Sequence, residues 1–324
     1  NVAESMATLP AIDTVAPAQP TVTRLAGQSF SVTAGATVNV AVDGVSGTAY
    51  VVDTSTPALL AVNLSDGTRT VFSDATTGVG TNLSTPVDVA FDGTGSRLLV
   101  TDDGLDAVIA VDLTTGDRSV FSDGVTGTGA AWVSPAGVAI DSVGGALYVA
   151  DRAGLVVQVD LTTGDRTPVS GGATGAGGAF SAPTYLDLDL AMDRLHVSDL
   201  GLGAILQVNL TTGDRVEVSG PGVGAGDLFD QLEDLWLDEA AGRLLVLDSD
   251  LPAVWSVDLA SGDRSIFYEF RRGTGDRGLV LDAVAVAPQG AEAIFGVARG
   301  DAAIIRIATP SGDRTVLSDA VAVA

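Results

Sequence analysis

Residues 114–118 read Thr-Thr-Gly-Asp-Arg, and this phrase or a close variant recurs six times along the chain. The arginines that end it are 49, 48, 49, 49 and 50 residues apart: Arg69, Arg118, Arg166, Arg215, Arg264 and Arg314. A fixed period of about 50 residues indicates an array of one supersecondary unit. Each unit holds four short apolar runs separated by Gly, Asp, Ser and Thr, which is typical of a propeller blade. The sequence therefore predicts an all-β, six-bladed β-propeller with four-stranded antiparallel blades.

The second unit shows the pattern most clearly. It predicts an inner strand over 87–92, a second over 97–102, a third over 107–113 and an outer strand over 118–122. Gly116 supplies the positive φ that the tight turn between the last two strands requires. Because this turn hardly varies, we interpret it as scaffold in which the Asp-Arg pairs brace neighbouring blades. We expect these turns on one face of the disk and the Gly-rich loops on the other.

Both ends of the chain lie outside the six units. Residues 1–20, rich in Pro, Ala, Thr and Ser, predict a linker or tether, and residues 21–324 the propeller. Residues 21–25 resemble the outer strand at 313–317, and residues 320–324 resemble the inner strand at 283–287. We expect one terminus to complete or overlap the last blade and so remove an exposed sheet edge. The alternative is that a spare strand pairs with another molecule.

Composition limits the classes of partner. The net charge is -25, and all 16 basic residues are arginines, so the chain repels phosphate backbones and a nucleic-acid partner is not expected. The same acidity suits a secreted, cell-surface or periplasmic protein, and we expect a bacterial one. There are no cysteines for disulfides or thiolate metal sites. No run approaches the roughly 18 apolar residues of a membrane span.

Five oxygen-bearing side chains stand near the starts of inner strands, where a propeller gathers its ligand sites. They are Asn39, Asp88, Glu233, Asp234 and Asp282. Carboxylates and an amide without His or Cys suit a hard cation such as calcium, so this set is a candidate Ca²⁺ site. The alternative is a rim of solvated acids in an acidic protein.

Four arginines form the candidate ligand-binding group. Arg271, Arg272 and Arg277 fall in the loop entering the sixth unit, and Arg299 follows that unit's second strand. Such a cluster can clamp a carboxylate or phosphate bidentately, as on an acidic glycan or on the acidic surface of a second copy. The alternative is that these arginines neutralise nearby acids.

Three further patterns have structural interpretations. The Gly-x-Gly pairs do not open a helix after a strand, so we interpret them as loop geometry and not as a phosphate cradle. His196, the single histidine, is interpreted as a packed strand residue. One large apolar residue recurs before each of four inner strands and is expected to plug the seam between blades: Leu83, Trp132, Phe180 and Phe229.

Residues 147–151 (Leu-Tyr-Val-Ala-Asp), 156–161 (Val-Val-Gln-Val-Asp-Leu) and 135–141 (Pro-Ala-Gly-Val-Ala-Ile-Asp) resemble the repeats of NHL and gluconolactonase-like six-bladed propellers. The resemblance covers residues 22–324 and implies the fold. In the gluconolactonase-like enzymes it would imply a divalent metal at the channel mouth, held by Glu, Asn and Asp. Their Leu-Gly-Glu-Gly-Pro and Asn-Asp-Gly signatures are missing here.

Two functions follow from these observations. The first is a non-catalytic extracytoplasmic binding or assembly module for a protein, a glycan or copies of itself. The second is a metal-dependent hydrolase, lactonase or lyase of the gluconolactonase-like type, in which a central metal activates water. The near-identity of the units and the missing catalytic signatures favour the first, and metal analysis after exhaustive dialysis separates the two.

Overall fold

The chain forms a β-propeller of four-stranded antiparallel sheets in a computed structural model, as the repeat predicts. The structure describes residues 22–24, 39–248, 253–269, 280–286, 293–299, 303–308 and 314–318, with side chains described in 39–248 and 253–267. Five sheets in this part have four strands each, and every neighbouring pair within them is antiparallel. Their strand order follows the sequence, so each repeat is one blade.

Within each blade the strands run from the inner to the outer edge in chain order. Blade 1 is β2 (Val40–Asp43), β3 (Thr48–Asp53), β4 (Ala58–Asn63) and β5 (Arg69–Ser73). Blade 2 is β6 (Pro86–Asp92), β7 (Arg97–Asp102), β8 (Ala107–Asp112) and β9 (Arg118–Ser122). Blade 3 is β10 (Pro135–Asp141), β11 (Ala146–Asp151), β12 (Leu155–Asp160) and β13 (Arg166–Gly171). Blade 4 is β14 (Pro183–Asp189), β15 (Arg194–Asp199), β16 (Ala204–Asn209) and β17 (Arg215–Ser219). Blade 5 is β18 (Leu232–Asp238), β19 (Arg243–Asp248), β20 (Ala253–Asp258) and β21 (Arg264–Glu269). Two short 3₁₀ turns, Leu190–Met192 and Glu239–Ala241, join the first two strands of blades 4 and 5.

The last sheet has five strands. They are β1 (Val22–Arg24), β22 (Val280–Val286), β23 (Ala293–Arg299), β24 (Ala303–Ala308) and β25 (Arg314–Ser318). Strand β1 pairs in parallel with β25, with Val22 opposite Arg314, so the prediction that one terminus overlaps the last sheet is confirmed. Strand β22 contacts β18 on one side and β2 on the other. Residues 1–20 and 320–324 lie outside the described residues.

The repeated turn folds as its sequence predicts. In blade 2 the Asp112 Oδ1 accepts hydrogen bonds from the backbone N–H groups of Thr114 and Thr115 at 2.8 and 2.9 Å. Gly116 follows at φ 72°. Asn209 replaces the aspartate in blade 4, and its Oδ1 accepts the corresponding bonds. An amide oxygen therefore substitutes for a carboxylate oxygen in this turn.

In blades 2 to 5 the arginine that ends the turn fastens its blade to the preceding one. Arg166 of blade 3 donates from Nε to the Ala130 carbonyl at 2.6 Å, and from Nη1 to Ser122 Oγ at 2.6 Å and the Thr126 carbonyl at 3.1 Å. Its guanidinium also lies 5.7 Å from the ring centroid of Trp132. Corresponding bonds to the preceding serine and loop are made by Arg118, Arg215 and Arg264. The predicted bracing by the Asp-Arg turns is confirmed for these blades.

The Gly-rich loops do not keep to the opposite face, so that prediction is wrong. The Val79 carbonyl accepts the Arg118 N–H at 2.7 Å, and a Cβ built on Gly78 would lie 2.1 Å from the Gly116 carbonyl oxygen. The first half of each loop thus packs on the turn of the next blade, which only glycine permits there. The Gly-x-Gly pairs are loop geometry, as predicted, and they also cover the start of the next outer strand.

The predicted seam residues are buried between blades. Leu83, Trp132, Phe180 and Phe229 are all less than a tenth exposed. Trp132 packs with Leu99 of blade 2 and Leu147 of blade 3 in one apolar cluster. This prediction is confirmed, and the resulting seams hold the blades as one stiff support for the residues at the channel.

Candidate functional site at the channel mouth

The predicted oxygen ligands lie where the inner strands begin. Asn39 precedes β2, Asp88 is in β6, Glu233 and Asp234 are in β18, and the backbone of Asp282 is in β22. A propeller arranges its inner strands around a central channel, so these positions share one end of that channel. We call this end the mouth. The side chain of Asp282 lies outside the described side chains.

The carboxylate of Asp88 accepts backbone hydrogen bonds from two blades. Its Oδ1 accepts the Val89 N–H at 2.7 Å, and its Oδ2 accepts the Val138 N–H of blade 3 at 2.8 Å. Burial raises the pKa of Asp88 to about 7, and these two hydrogen bonds only partly oppose that rise. The carboxylate therefore joins inner strands, and near neutral pH it exchanges a proton.

Asp187, which sequence reasoning did not single out, makes the same kind of bridge between blades 4 and 5. Its two oxygens accept the N–H groups of Leu188 at 2.8 Å and Leu237 at 2.7 Å. Burial raises the pKa of Asp187 to about 6. Because Asp187 stands two residues further along its strand than Asp88 does, no aligned position in the repeats revealed the similarity.

The charges of several mouth residues act on the phenol of Tyr185. Tyr185 is 1% exposed, and it occupies in blade 4 the position of Asp88 in blade 2. Burial raises the pKa of its phenol well above the ordinary value, and the charges of Glu233, Asp88 and Asp234 raise it further. The sequence signal was the one aromatic residue at this step of the repeat.

The inner strand of blade 3 makes room for that tyrosine. A Cβ built on Gly137 would lie 2.6 Å from the Tyr185 Cα and 3.2 Å from its Cδ1. Arg152, at the start of the turn after β11, lowers the pKa of Tyr185 and so supplies positive charge to the same neighbourhood. Among the described residues, the partly exposed Glu233, Asp234 and Arg152 surround the buried phenol, a set of carboxylates and a guanidinium suited to a polar ligand.

The calcium site stays a prediction. Within 39–248 and 253–267, no group of three or more His, Asp or Glu side chains is arranged to hold a metal ion. Each Asp88 oxygen already accepts one backbone hydrogen bond. Asn39 is 2% exposed, and its Nδ2 has no hydrogen-bond partner in the described part of the chain.

The predicted arginine cluster falls on the last repeat. Arg271, Arg272 and Arg277 lie outside the described residues. Arg299 is the last residue of β23, inside the strand and not after it, and its backbone pairs with Val280. Its side chain lies outside the described side chains, so the anion-binding role of the cluster stays a prediction.

His196 is a packed strand residue, as the sequence predicted. It is fully buried in β15, and neither ring nitrogen has a hydrogen-bond partner among the described residues. Burial and, to a smaller extent, the positive charge of Arg194 lower the pKa of His196 to about 4. A neutral imidazole enclosed in this way is not placed to act as a general base on a ligand at the mouth.

Comparison with known proteins supports the architecture. No known protein-family profile matches the chain, and no curated protein matches its sequence. A chain from the crystal structure of a nidogen/laminin complex superposes with a TM-score of 0.59 at 21% identity, over 73% of this chain and 81% of that one. What the two share is the β-propeller fold.

Two proteins from Bacteroides thetaiotaomicron share the same fold. One is a structural genomics protein of unknown function, with a TM-score of 0.64 at 15% identity over 89% of this chain and 74% of that one. The other is described as an auxiliary nutrient binding protein, with a TM-score of 0.62 at 13% identity over 85% and 72%. At these identities the likeness concerns the fold alone. No helix in the described residues is long and apolar enough to cross a membrane.

Proposed function

We propose that the chain is a six-bladed, non-catalytic binding module of an extracytoplasmic protein, with the mouth as its binding end. The observation that carries this is that the repeated polar residues and those at the mouth have different roles. The polar residues that repeat, such as Arg166 and Asp112, form hydrogen bonds within turns and between blades. Glu233, Asp234 and Arg152 lie near Tyr185 and take no part in the repeated turn, and they stand at the end where ligand sites of propellers gather.

Three further observations support this function. Strand β22 contacts both β18 of blade 5 and β2 of blade 1, which supports a ring closed by the last sheet. One protein with the same fold belongs to a nidogen/laminin complex, and another is described as an auxiliary nutrient binding protein. A stiff disk that keeps its mouth geometry binds without a large ordering cost.

The partner classes are a protein, an acidic glycan or a second copy. We would compare a Glu233→Gln/Asp234→Asn variant and an Arg271→Ala/Arg272→Ala variant with the native chain, using sedimentation velocity and heparin binding at low and high salt. Loss of self-association in either variant, or of heparin binding in the arginine variant, supports the module, and salt should weaken both. Glu239→Gln, which removes one exposed carboxylate from the turn between β18 and β19, is the matched control. Unchanged behaviour of both variants in both assays contradicts the proposal.

A further inference from the structure

A groove of about 380 Å³ opens on the outer part of blade 4, away from the mouth. Its walls include Gly178 and Ala179 of the loop before the blade, Leu202 and Leu206, and Glu217 with Pro221 on the outer side. This volume is at the lower end of the roughly 300–1,000 Å³ typical of ligand pockets. Arg215 donates from Nε to the Gly178 carbonyl at 2.9 Å and so fixes one wall.

Blade 5 shows what fits at the corresponding place. Leu206 pairs with Glu217 across β16 and β17, and the corresponding pair in blade 5 is Trp255 and Ile266. Trp255 is 3% exposed, and its indole packs edge-on against Phe229 with ring centroids 6.4 Å apart. Because the two blades repeat one backbone, the side of Leu206 that borders the groove corresponds to space that an indole occupies in blade 5.

The indole N–H of Trp255 in blade 5 is a donor, and the Glu217 carboxylate at the groove in blade 4 is an acceptor. The indole N–H of Trp255 has no hydrogen-bond partner among the described residues, and its cross-strand neighbour Ile266 has no polar side-chain atom. In blade 4 the position of that isoleucine is taken by Glu217. A carboxylate there would accept an indole N–H, for which the described residues of blade 5 offer no partner.

Glu217 is held in place for this role. Its Oε1 accepts the Gly222 N–H at 2.8 Å. A Cβ on Gly222 would lie 3.0 Å from Oε2, and one on Gly220 would lie 2.7 Å from Oε1. The two glycines therefore let the carboxylate lie against the loop at the groove, and the second oxygen makes no hydrogen bond within residues 39–248.

We infer that this groove binds the indole side chain of a tryptophan from a partner polypeptide, with the indole N–H donating to Glu217. The apolar ring would lie along Leu206 between the loop wall and Pro221. That the indole belongs to a polypeptide rests on the proposed function. The fit of an indole to the groove does not. The site is separate from the mouth, so each can fail without the other.

The test uses calorimetric titration of the full chain with indole and with 1-methylindole, which lacks the N–H. We expect indole to bind about tenfold more tightly, the factor that a hydrogen bond to a charged group contributes. Glu217→Val, which introduces the residue type of Val120 in blade 2, should reduce the affinity for indole to that for 1-methylindole. Leu206→Trp should abolish binding of both, because it fills the groove as Trp255 fills its counterpart. Val216→Ala, on the other side of the same strand, is the control.

Two results would overturn the inference. One is indole binding that Leu206→Trp leaves unchanged, and the other is a Glu217→Val variant that weakens indole and 1-methylindole equally. A Gly-Gly-Trp-Gly-Gly peptide should bind and its Phe counterpart should bind about tenfold more weakly. Indole binding without binding of the Trp peptide would overturn the polypeptide source, and the variants at the mouth would still test the proposed function.

Discussion

Arg166 Nη1 lies 2.6 Å from Ser122 Oγ, so the first residue of one outer strand is bonded to the last residue of the preceding one. The same guanidinium binds two carbonyls of the intervening loop. Arg166→Ala would remove the partner of the buried Ser122 Oγ and of two partly buried carbonyls, and should lower the free energy of unfolding by about 3 kcal/mol. Urea unfolding measures this. Arg243→Ala, which removes a partly exposed ion pair with Asp238 and a cation–π contact 4.4 Å from the Phe267 ring centroid, should cost less, about 1–2 kcal/mol. Equal losses in the two variants would contradict a special role for the blade contact.

How far the sequence predicts this fold depends on whether a feature repeats. The strands, the turn at 114–117 and the bracing arginines recur at a fixed spacing, so one sequence suffices to infer them. Other contacts between blades depend on blade twist, which the repeat does not specify. For that reason the packing of Gly78 on Gly116 and the bridge from Asp187 to Leu237 were not predicted. The mouth residues were found by position, but the central place of Tyr185 required the structure.

Strand β1 should protect the outer edge of the last sheet. Deleting residues 1–24 removes the partner of β25 and exposes its backbone N–H and C=O groups, which favours pairing with other chains. We expect a lower Tm and more self-association, measured by calorimetry and sedimentation velocity. Deleting residues 1–20 is the matched control, because it leaves β1 in place. If the two truncations behave alike, β1 does not stabilise the sheet.

Calcium should raise Tm if the predicted site at the mouth forms, because a ligand that binds only the native state stabilises it by mass action. We expect a chelator to lower Tm and metal analysis after dialysis to find calcium in the native chain. Glu233→Gln/Asp234→Asn should remove both effects. A metal-free protein whose Tm responds to neither calcium nor chelator would leave the mouth an acidic rim and remove the support for a hydrolase.

Replacing His196 with leucine, the residue type of Leu99 at this position in blade 2, should stabilise the protein. The change removes two buried nitrogens that have no partner in the described residues, each costing about 1–3 kcal/mol when unpaired. Because the pKa of His196 is lowered from 6.5 to about 4, its contribution to stability is lost as pH falls through that window. The advantage of His196→Leu over the native chain should therefore grow between pH 6.5 and pH 4. An advantage that is independent of pH would contradict burial of the neutral imidazole.

Asp88 should make the protein more stable as the solution is acidified from neutrality. Its pKa is raised from 3.8 to about 7, so the native state holds this proton more tightly than the unfolded chain does. The resulting stabilisation is complete below pH 3.8 and is lost as pH rises through 7. Three pKa units correspond to at most about 4 kcal/mol. Asp88→Asn removes this titration, so the native chain should gain stability relative to the variant as pH falls from 7 towards 3.8. Urea midpoints for both proteins across that range measure the difference, and Asp187→Asn should show its own change nearer pH 6. A constant difference between the native chain and Asp88→Asn would mean that Asp88 stays ionised while it bridges β6 to β10.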